Sequence, residues 1–557
     1  MKLRSFLFTL VAGAIALLLI AAITLYWILA QSPLNLLKGG VSTYPQAAMF
    51  VPKQAPALVS LLINPEKLEA LRQLAAPISK RRRSRQEWQE LKTNLLAQTG
   101  LDYQRDIKPW LGDEVTLAIA SLDFDRNRDN GIQPGYLLIT KTKDTEKAKE
   151  FLQVAYSERA IASNRDLKFE KYKGVNLTYP SSLTTKQESG IWASAVVGDF
   201  VLFANHPKVL REAINNAQAV DLNLTHASFY QEALKTIVEP RIGLAFINLP
   251  AASAWAAKAP IPETPALEQM LTVTLSANLE GLVAQTALIG VKGALEQTPV
   301  LSGPVDTLAY VPATSIMAAA GVDLDRFWQE IVTGLAPNSP LAQFINRAIA
   351  SLQEPLGIDL PQDIFSWVRG EYALSLVSNP DNKQLDWLFV AEKTPATEVD
   401  LVIEHLDNLA KERGLSVGNF PVDDTQITAW TKLKTATRQD SVSLDAEVKG
   451  AHINTPKYVI LASSVEAIAQ ALALDRNSLL NSKDFERAVT SLPLKNNGYF
   501  YINWQNGKSA FEKNIPLLRV IELSAQSLFS HLRSLTLTSQ GSENGVRRAT
   551  VFFNLQA

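Results

Sequence analysis

The chain has 557 residues, of which 47% are hydrophobic and 20% are charged, and this composition excludes a mostly disordered protein. Its 54 Lys and Arg residues nearly balance its 55 Asp and Glu residues, so the formal net charge of -1 argues against a nucleic-acid partner bound through bulk positive charge. The absence of cysteine excludes disulfides, a cysteine nucleophile, an iron–sulfur cluster and a thiolate zinc site.

An apolar segment near the N-terminus predicts a membrane anchor. Residues 6–30 contain no charged side chain, and a helix of that length extends about 37 Å, enough to cross the ~30 Å hydrocarbon core of a bilayer. Lys2 and Arg4 precede the segment, so the positive-inside rule places residues 1–5 in the cytoplasm and the bulk of the chain outside it. A cleaved signal peptide is the alternative, but this segment is longer than a signal peptide's apolar region and ends in bulky residues. The sequence therefore favours an uncleaved single-pass anchor, with residues 31–43 as a tether.

The residues after the tether show both strand and helix patterns. Apolar runs and alternating patterns predict strands, in chain order, at 57–63, 114–120, 136–140, 168–178, 193–204, 243–248, 271–278 and 281–289. Capping residues and helical periodicity predict helices at about 64 onward, 84–98, 144–156, 207–217 and 228–238. Strands joined by hairpins, with helices inserted in pairs, are typical of an α+β fold with a largely antiparallel sheet.

An internal repeat divides the rest of the chain into two similar halves. Residues 100–121 align with residues 357–378 without gaps, and eight of the 22 positions are identical. The identical pairs are Gly100/Gly357, Asp102/Asp359, Asp106/Asp363, Ile107/Ile364, Trp110/Trp367, Glu114/Glu371, Leu117/Leu374 and Ser121/Ser378. Shorter matches follow on both sides in the same order. The sequence thus predicts two tandem copies of the α+β domain, at 44–290 and 305–557, joined by a linker at 291–304.

Motifs that would carry catalysis do not assemble in this sequence. Gly507-Lys508-Ser509 resembles the end of a phosphate-binding loop, but Ile502 occupies the position where that loop requires glycine. The histidines are too widely spaced to suggest a metal pair, and we interpret them as surface or capping residues: His206, His226, His405, His452 and His531. No catalytic, cofactor-binding or metal-binding residue is predicted, and no cofactor is implied.

The segment from Asp123 to Gly131 places Asp and Asn residues at alternate positions, which is the spacing of oxygen ligands in a calcium loop. The EF-hand pattern fails, however, because Arg128 occupies the position of its glycine and Pro134 that of its final glutamate. The repeat offers another interpretation, a hairpin loop that is longer in the first copy than in the second. We favour the loop and retain calcium binding as the alternative.

Two further features invite a functional interpretation. The basic run Lys80–Arg85 could contact anionic lipid or an acidic partner, although a solvated face is the ordinary role of such a run. The matched Trp110 and Trp367 could belong to a paired site, but a tryptophan before a buried strand is typically part of the core. Glu114 and Glu371 begin their strands, where a capping or exposed carboxylate is expected.

The opening Tyr44-Pro45 with Phe50-Val51-Pro52, the Asp-Ile-x-x-Trp…Glu block, the single N-terminal span and the lack of cysteine resemble a family of membrane-anchored proteins familiar from cyanobacteria. That family is built on a domain of unknown function, and the resemblance covers residues 44–557. It implies a location in the bacterial envelope, in the plasma or thylakoid membrane with the bulk of the chain in the periplasm or lumen. It implies no catalytic residue.

The sequence favours a non-enzymatic function over catalysis, namely a membrane-anchored envelope scaffold or binding module with an unidentified protein partner. One alternative is a carrier of an apolar ligand, which would need a continuous apolar cavity of several hundred Å³. Another is a hydrolase that uses carboxylates alone, which would need two facing carboxyl groups with raised pKa values.

Overall fold

A computed structural model describes residues 40–64, 102–163, 166–181, 193–237, 240–257, 269–278, 280–290, 301–334, 350, 353, 358–378, 385–395, 399–422, 425–438, 441–474, 476–514 and 532–555. The predicted anchor at 6–30, the predicted helices between 64 and 98, the basic run Lys80–Arg85 and most of the predicted linker lie outside these residues. Within the described part of the chain, none of the helices combines the length and the apolar character that crossing a bilayer requires.

The strands of the first half are β1 Ala57–Leu61, β2 Leu111–Ser121, β3 Gly135–Thr142, β4 Leu167–Tyr172, β5 Val175–Pro180, β6 Ala193–Val197, β7 Phe200–Ala204, β8 Gly243–Asn248, β9 Met270–Ala277 and β10 Gly281–Ile289. Those of the second half are β11 Met317–Val322, β12 Glu371–Ser378, β13 Leu385–Glu392, β14 Ser416–Val422, β15 Thr425–Arg438, β16 Ser441–Asn454, β17 Tyr458–Ala462, β18 Gly498–Asn503, β19 Leu532–Glu543 and β20 Val546–Leu555. The described helices are α1 Thr145–Ser163, α2 Pro207–Gln218, α3 Ser228–Lys235, α4 Leu249–Ala256, α5 Leu324–Gly334, α6 Val399–Glu412, α7 Val465–Leu472, α8 Lys483–Thr490 and α9 Trp504–Asn514.

All of the strand pairings are antiparallel, which confirms the predicted α+β class with a large antiparallel sheet. In the first half the strands lie in the order β4-β5-β6-β7-β3-β2-β1-β8-β9-β10. In the second half the order is β14-β15-β16-β17-β13-β12-β11-β18-β19-β20. Each strand of the first half therefore occupies the same place in its order as the strand ten numbers later does in the second.

The two halves join edge to edge through β10 and β20. These strands pair antiparallel from Gly281 opposite Asn554 to Ile289 opposite Val546, so the sheet runs without a break from one half into the other. Gly281 has φ 156° and lies against the carbonyl of Phe553, where any larger residue would collide. The pairing makes one continuous sheet of strands that are more than 250 residues apart in sequence.

Two of the hydrophobic clusters among the described residues cross this junction. The first combines residues of β1, β8, β9 and β10 with Trp504, Leu532 and Phe553 of the second half, all of them buried. The second joins Val283 of β10 to buried residues of the second half. Burying apolar area across the junction favours docking of the halves in addition to the hydrogen bonds of the β10–β20 ladder. The halves thus share part of a core, while further clusters lie within each half.

Two strands predicted from the sequence are hairpins in the structure. The predicted strand at 168–178 is β4 and β5, which turn at Lys173 and Gly174 with φ 45° and 84°. The predicted strand at 193–204 is β6 and β7, which turn at Gly198 with φ 56°. In both cases the glycine permits the left-handed backbone of a tight turn, while apolar residues on either side continue the strand pattern.

Candidate functional site

The best-matched segment of the repeat forms the same carboxylate-capped turn in both halves. The carboxylate of Asp106 accepts the backbone N–H of Asp102 at 2.7 Å, and that of Asp363 accepts the N–H of Asp359 at 2.7 Å. The guanidinium of Arg105 donates to Asp106, and this hydrogen bond lowers the pKa of the Asp106 carboxyl. The identical aspartates therefore fix backbone geometry before β2 and β12.

Trp110 and Trp367 are core residues that end these turns. The indole N–H of Trp110 donates to the carbonyl of Asp106 at 2.7 Å, and that of Trp367 donates to the carbonyl of Asp363 at 3.0 Å. Only 3% and 8% of their surfaces are exposed. Trp110 also stacks on Phe151 of α1 with ring centroids 5.3 Å apart. A ring that is buried and hydrogen-bonded to its own turn presents no face to a ligand.

Glu114 and Glu371 cap short 3₁₀ helices that precede β1 and β11. Glu114 is buried, and its two oxygens accept the N–H groups of Ala47 at 2.8 Å and Gln46 at 3.0 Å. Glu371 accepts the N–H of Thr307 at 3.3 Å. Burial raises the pKa of both carboxyl groups. A raised pKa is one mark of a catalytic carboxylate, but these oxygens are committed to the backbone, and the two residues lie in different halves.

The Asp123–Gly131 segment lies in the loop that joins β2 to β3, as the hairpin interpretation predicts. The side chain of Asp125 accepts the N–H of Asn127 at 3.0 Å and the amide of Asn130 at 2.7 Å, while Asp123 accepts the N–H of Gln133 at 3.3 Å. Within the described residues no group of three or more acidic or histidine side chains is placed to hold a metal ion. The loop oxygens therefore stabilise the loop itself.

Gly507, Lys508 and Ser509 lie within α9. A helix interior commits its amides to the helix ladder, so these residues do not form a loop that could surround a phosphate.

His206 caps the N-terminus of α2, the capping role predicted for it. Its Nδ1 accepts the N–H of Lys208 at 3.1 Å, and its ring stacks on Phe124 with centroids 4.4 Å apart. Burial is the main cause that lowers the pKa of His206 from 6.5 to about 4. The neutral imidazole, which alone can accept the N–H, is therefore the form that the fold favours.

We expect His206 to make the protein less stable in weak acid. Because its folded-state pKa is depressed, the unfolded chain takes up the proton first, so the contribution of His206 is present above pH 6.5 and is lost as the pH falls towards about 4. Asparagine at this position would also accept the N–H but does not titrate. Thermal melting between pH 4 and pH 7 should therefore fall less steeply for His206→Asn than for the wild type, and parallel curves would contradict this assignment.

His452 lies buried within β16, so its interpretation as a surface or capping residue is wrong, and it belongs to a cluster that sequence spacing did not reveal. Asp407 on α6 accepts the indole N–H of Trp430 at 2.7 Å and lies 2.9 Å from Nε2 of His452. Since a carboxylate only accepts, Nε2 carries a proton in this contact. Among the described residues, Nδ1 of His452 is buried without a hydrogen-bond partner. The three side chains come from α6, β15 and β16, so the pairing of β15 with β16 and the packing of α6 against them bring the three together.

A cavity of about 150 Å³ lies where the two halves meet. Its lining comes from β9 and β10 of the first half, from β19 and β20 of the second, and from the residues that follow α3 and α8. Threonine is its commonest lining residue, and Gln285, Gln540 and Arg548 supply the larger polar groups. The cavity is smaller than the several hundred Å³ that an apolar-ligand carrier would need.

Comparison with known families shows to which family the chain belongs. It matches the family described as "Protein of unknown function (DUF3352)" over residues 10–555. The chain belongs to the DUF3352 family. This membership confirms the predicted resemblance to a family built on a domain of unknown function, while the anchor and the cyanobacterial setting stay predictions. No curated protein matches this DUF3352 chain. A solved structure described as "Structure of crystal form I of TP0453" is 12% identical over 46% of the chain and 82% of its own chain, with a TM-score of 0.24, and this likeness carries no argument.

Proposed function

We propose that the protein is a membrane-anchored, non-enzymatic scaffold or binding module of the bacterial envelope, made of two tandem copies of one domain. Residues 6–30 form the anchor in the plasma or thylakoid membrane, and the sheet lies in the periplasm or lumen. The support for the anchor and the location is the charge and hydropathy pattern of the N-terminus together with the resemblance that the sequence carries.

The observation that carries the proposal is the matched order of the strands and their union through β10 and β20. A shared strand order with the same capped turn, the same indole hydrogen bond and the same capping glutamate in each half is what duplication of one domain produces. Joining both copies in one sheet makes an extended platform rather than two hinged domains. Such a platform suits the binding and spacing of a partner.

The alternatives receive less support from the described residues. The carboxyl groups with raised pKa values, Glu114 and Glu371, cap helices in separate halves, so they do not form a facing pair for hydrolysis. The junction cavity is small and carries Arg548, whereas an apolar carrier needs several hundred Å³ of apolar space. Neither chemistry is therefore part of the proposal.

The topology can be tested by treating sealed spheroplasts with protease. We expect digestion of the sheet domain, because the positive-inside rule places it outside the cytoplasm, while a cytoplasmic marker protein stays protected as the control. Full protection of the domain would contradict the topology. A mature N-terminus near Gln31 would contradict the anchor.

The scaffold function can be tested by crosslinking the full-length protein in native membranes. We expect a discrete adduct of defined mass that also forms when the purified partner is added back to the purified full chain. Crosslinked products of many different masses at every concentration of crosslinker, with no discrete adduct, would contradict a specific partner. Turnover of an envelope substrate that Glu114→Gln abolishes without unfolding the chain would replace the proposal with an enzymatic one.

A further inference from the structure

The junction cavity holds one charged side chain among its described lining residues, Arg548 of β20. One N–H group of its guanidinium donates to the carbonyl of Thr236 at 2.8 Å. A guanidinium has five N–H donors in a fixed fork, so four are left for other acceptors. No Asp or Glu belongs to the described lining. A half-buried cation beside a cavity without a carboxylate favours an anionic occupant, because burying an unpaired charge is costly.

A second donor lies beside this guanidinium. Gln285 of β10 is directly opposite Thr550, and Arg548 is opposite Ala287, so Gln285 and Arg548 are diagonal neighbours on one face of the sheet. Both residues line the cavity. Diagonal neighbours in an antiparallel pair lie about 7–8 Å apart, a separation that leaves room for an oxyanion between a guanidinium and an amide.

Four of the five threonines that line the cavity donate their hydroxyl groups to backbone carbonyls, and Thr550 donates to the side-chain oxygen of Gln540. Thr272 donates to the carbonyl of Ala287 at 3.4 Å, and Thr274 donates to the carbonyl of Gln285 at 3.5 Å. Their methyl groups are then the atoms left to shape the cavity, and the polar donors available to a ligand come chiefly from Arg548 and Gln285. This combination of a largely apolar wall and a few placed donors is typical of a small-molecule site.

We propose that the junction cavity binds a small oxyanion, a phosphate or carboxylate group, between Arg548 and Gln285. The guanidinium fork matches two oxygens of either group, and the amide of Gln285 donates to the third oxygen that a phosphate provides. The space of about 150 Å³ is several times what one water molecule requires, so the site admits a free anion or a short phosphate ester. The site lies at the seam of the two halves, so its occupant contacts both. This inference does not depend on the proposed scaffold function.

The test is calorimetric titration of the full chain, purified in a mild detergent, with inorganic phosphate and separately with glycerol 3-phosphate. We expect saturable binding that Arg548→Gln weakens at least about tenfold, since hydrogen bonds to charged groups contribute that much. Arg548→Gln retains a donor for the Thr236 carbonyl. Tighter binding of glycerol 3-phosphate would assign the source as a phosphate ester such as a headgroup, and equal binding would assign a free anion.

Arg547→Gln is the matched control. Arg547 is adjacent in β20 and therefore projects from the opposite face of the sheet, so its removal changes net charge equally but should leave binding unchanged. Melting curves of both variants establish that each is folded. Absence of saturable binding of both probes to the wild type up to 10 mM ligand, on the order of the weakest specific affinities, would overturn the proposal. Equal weakening by both substitutions would overturn it as well.

Discussion

Replacing Trp110 or Trp367 with alanine should lower the free energy of unfolding by about 3–5 kcal/mol, because each substitution removes a buried ring and leaves a cavity. Trp110 is 3% exposed and Trp367 is 8% exposed, and each indole also donates to the carbonyl of its own turn. The loss is a large fraction of the roughly 5–15 kcal/mol that stabilises an ordinary protein. Chemical denaturation followed by circular dichroism measures it.

Phenylalanine at the same positions separates the contribution of the buried ring from that of the indole hydrogen bond. Trp110→Phe and Trp367→Phe keep most of the buried ring but remove the indole donor, so they should cost less than the alanine variants, by an amount that reflects the packing. If both alanine variants melt like the wild type and yet lose a partner in crosslinking, the tryptophans belong to a binding site and our assignment of them to the core is wrong.

Strands with complete apolar or alternating patterns could be predicted closely from the sequence. The predictions for 243–248 and 281–289 coincide with β8 and β10, since each is bounded by a glycine at its start and by a clear change of pattern at its end. The hairpins β4–β5 and β6–β7 were missed for the opposite reason. Their turns contain only two residues, so the strand pattern continues across them.

The pairing of the two halves could not be predicted from the sequence. It is made by the edge strands β10 and β20, and the residues that match between the halves carry no information about contacts between those strands. The matched residues lie within each half, while the β10–β20 ladder is made between the halves. The cavity at that seam was hidden for the same reason. Arg548 and Gln285 are 263 residues apart in sequence, and no spacing motif links them. The Asp407 cluster is similar, since a helix and two strands supply its members.

The roles of the capping residues could be predicted from the sequence in part. His206 precedes Pro207, which is a common sequence at a helix start, so the cap was predictable in kind. For Glu114 the sequence predicts only a capping or exposed carboxylate. The N–H groups that donate to it belong to Gln46 and Ala47, which are 68 and 67 residues away in sequence. Identity between the two halves marked Glu114 and Glu371 as important without saying that their importance is structural.

Phe553→Ala should destabilise both halves together by about 3–5 kcal/mol. Phe553 of β20 is 3% exposed and lies opposite Leu282 of β10, within a hydrophobic cluster that crosses the junction. Its removal leaves a cavity between residues of both halves, so neither half can compensate alone. Phe169→Ala is the matched control, because Phe169 is 74% exposed and its truncation should change stability by no more than about 0.5 kcal/mol.

Hydrogen exchange of the backbone amides distinguishes shared from separate unfolding. If the halves form one cooperative unit, Phe553→Ala should speed exchange to a similar degree in β9 of the first half and in β19 of the second, because both strands contribute to the cluster that crosses the seam. Faster exchange in β19 alone would show that the first half keeps its stability without the second. The β10–β20 ladder would then be a contact between two independent domains, and the continuous platform on which the scaffold proposal rests would fail.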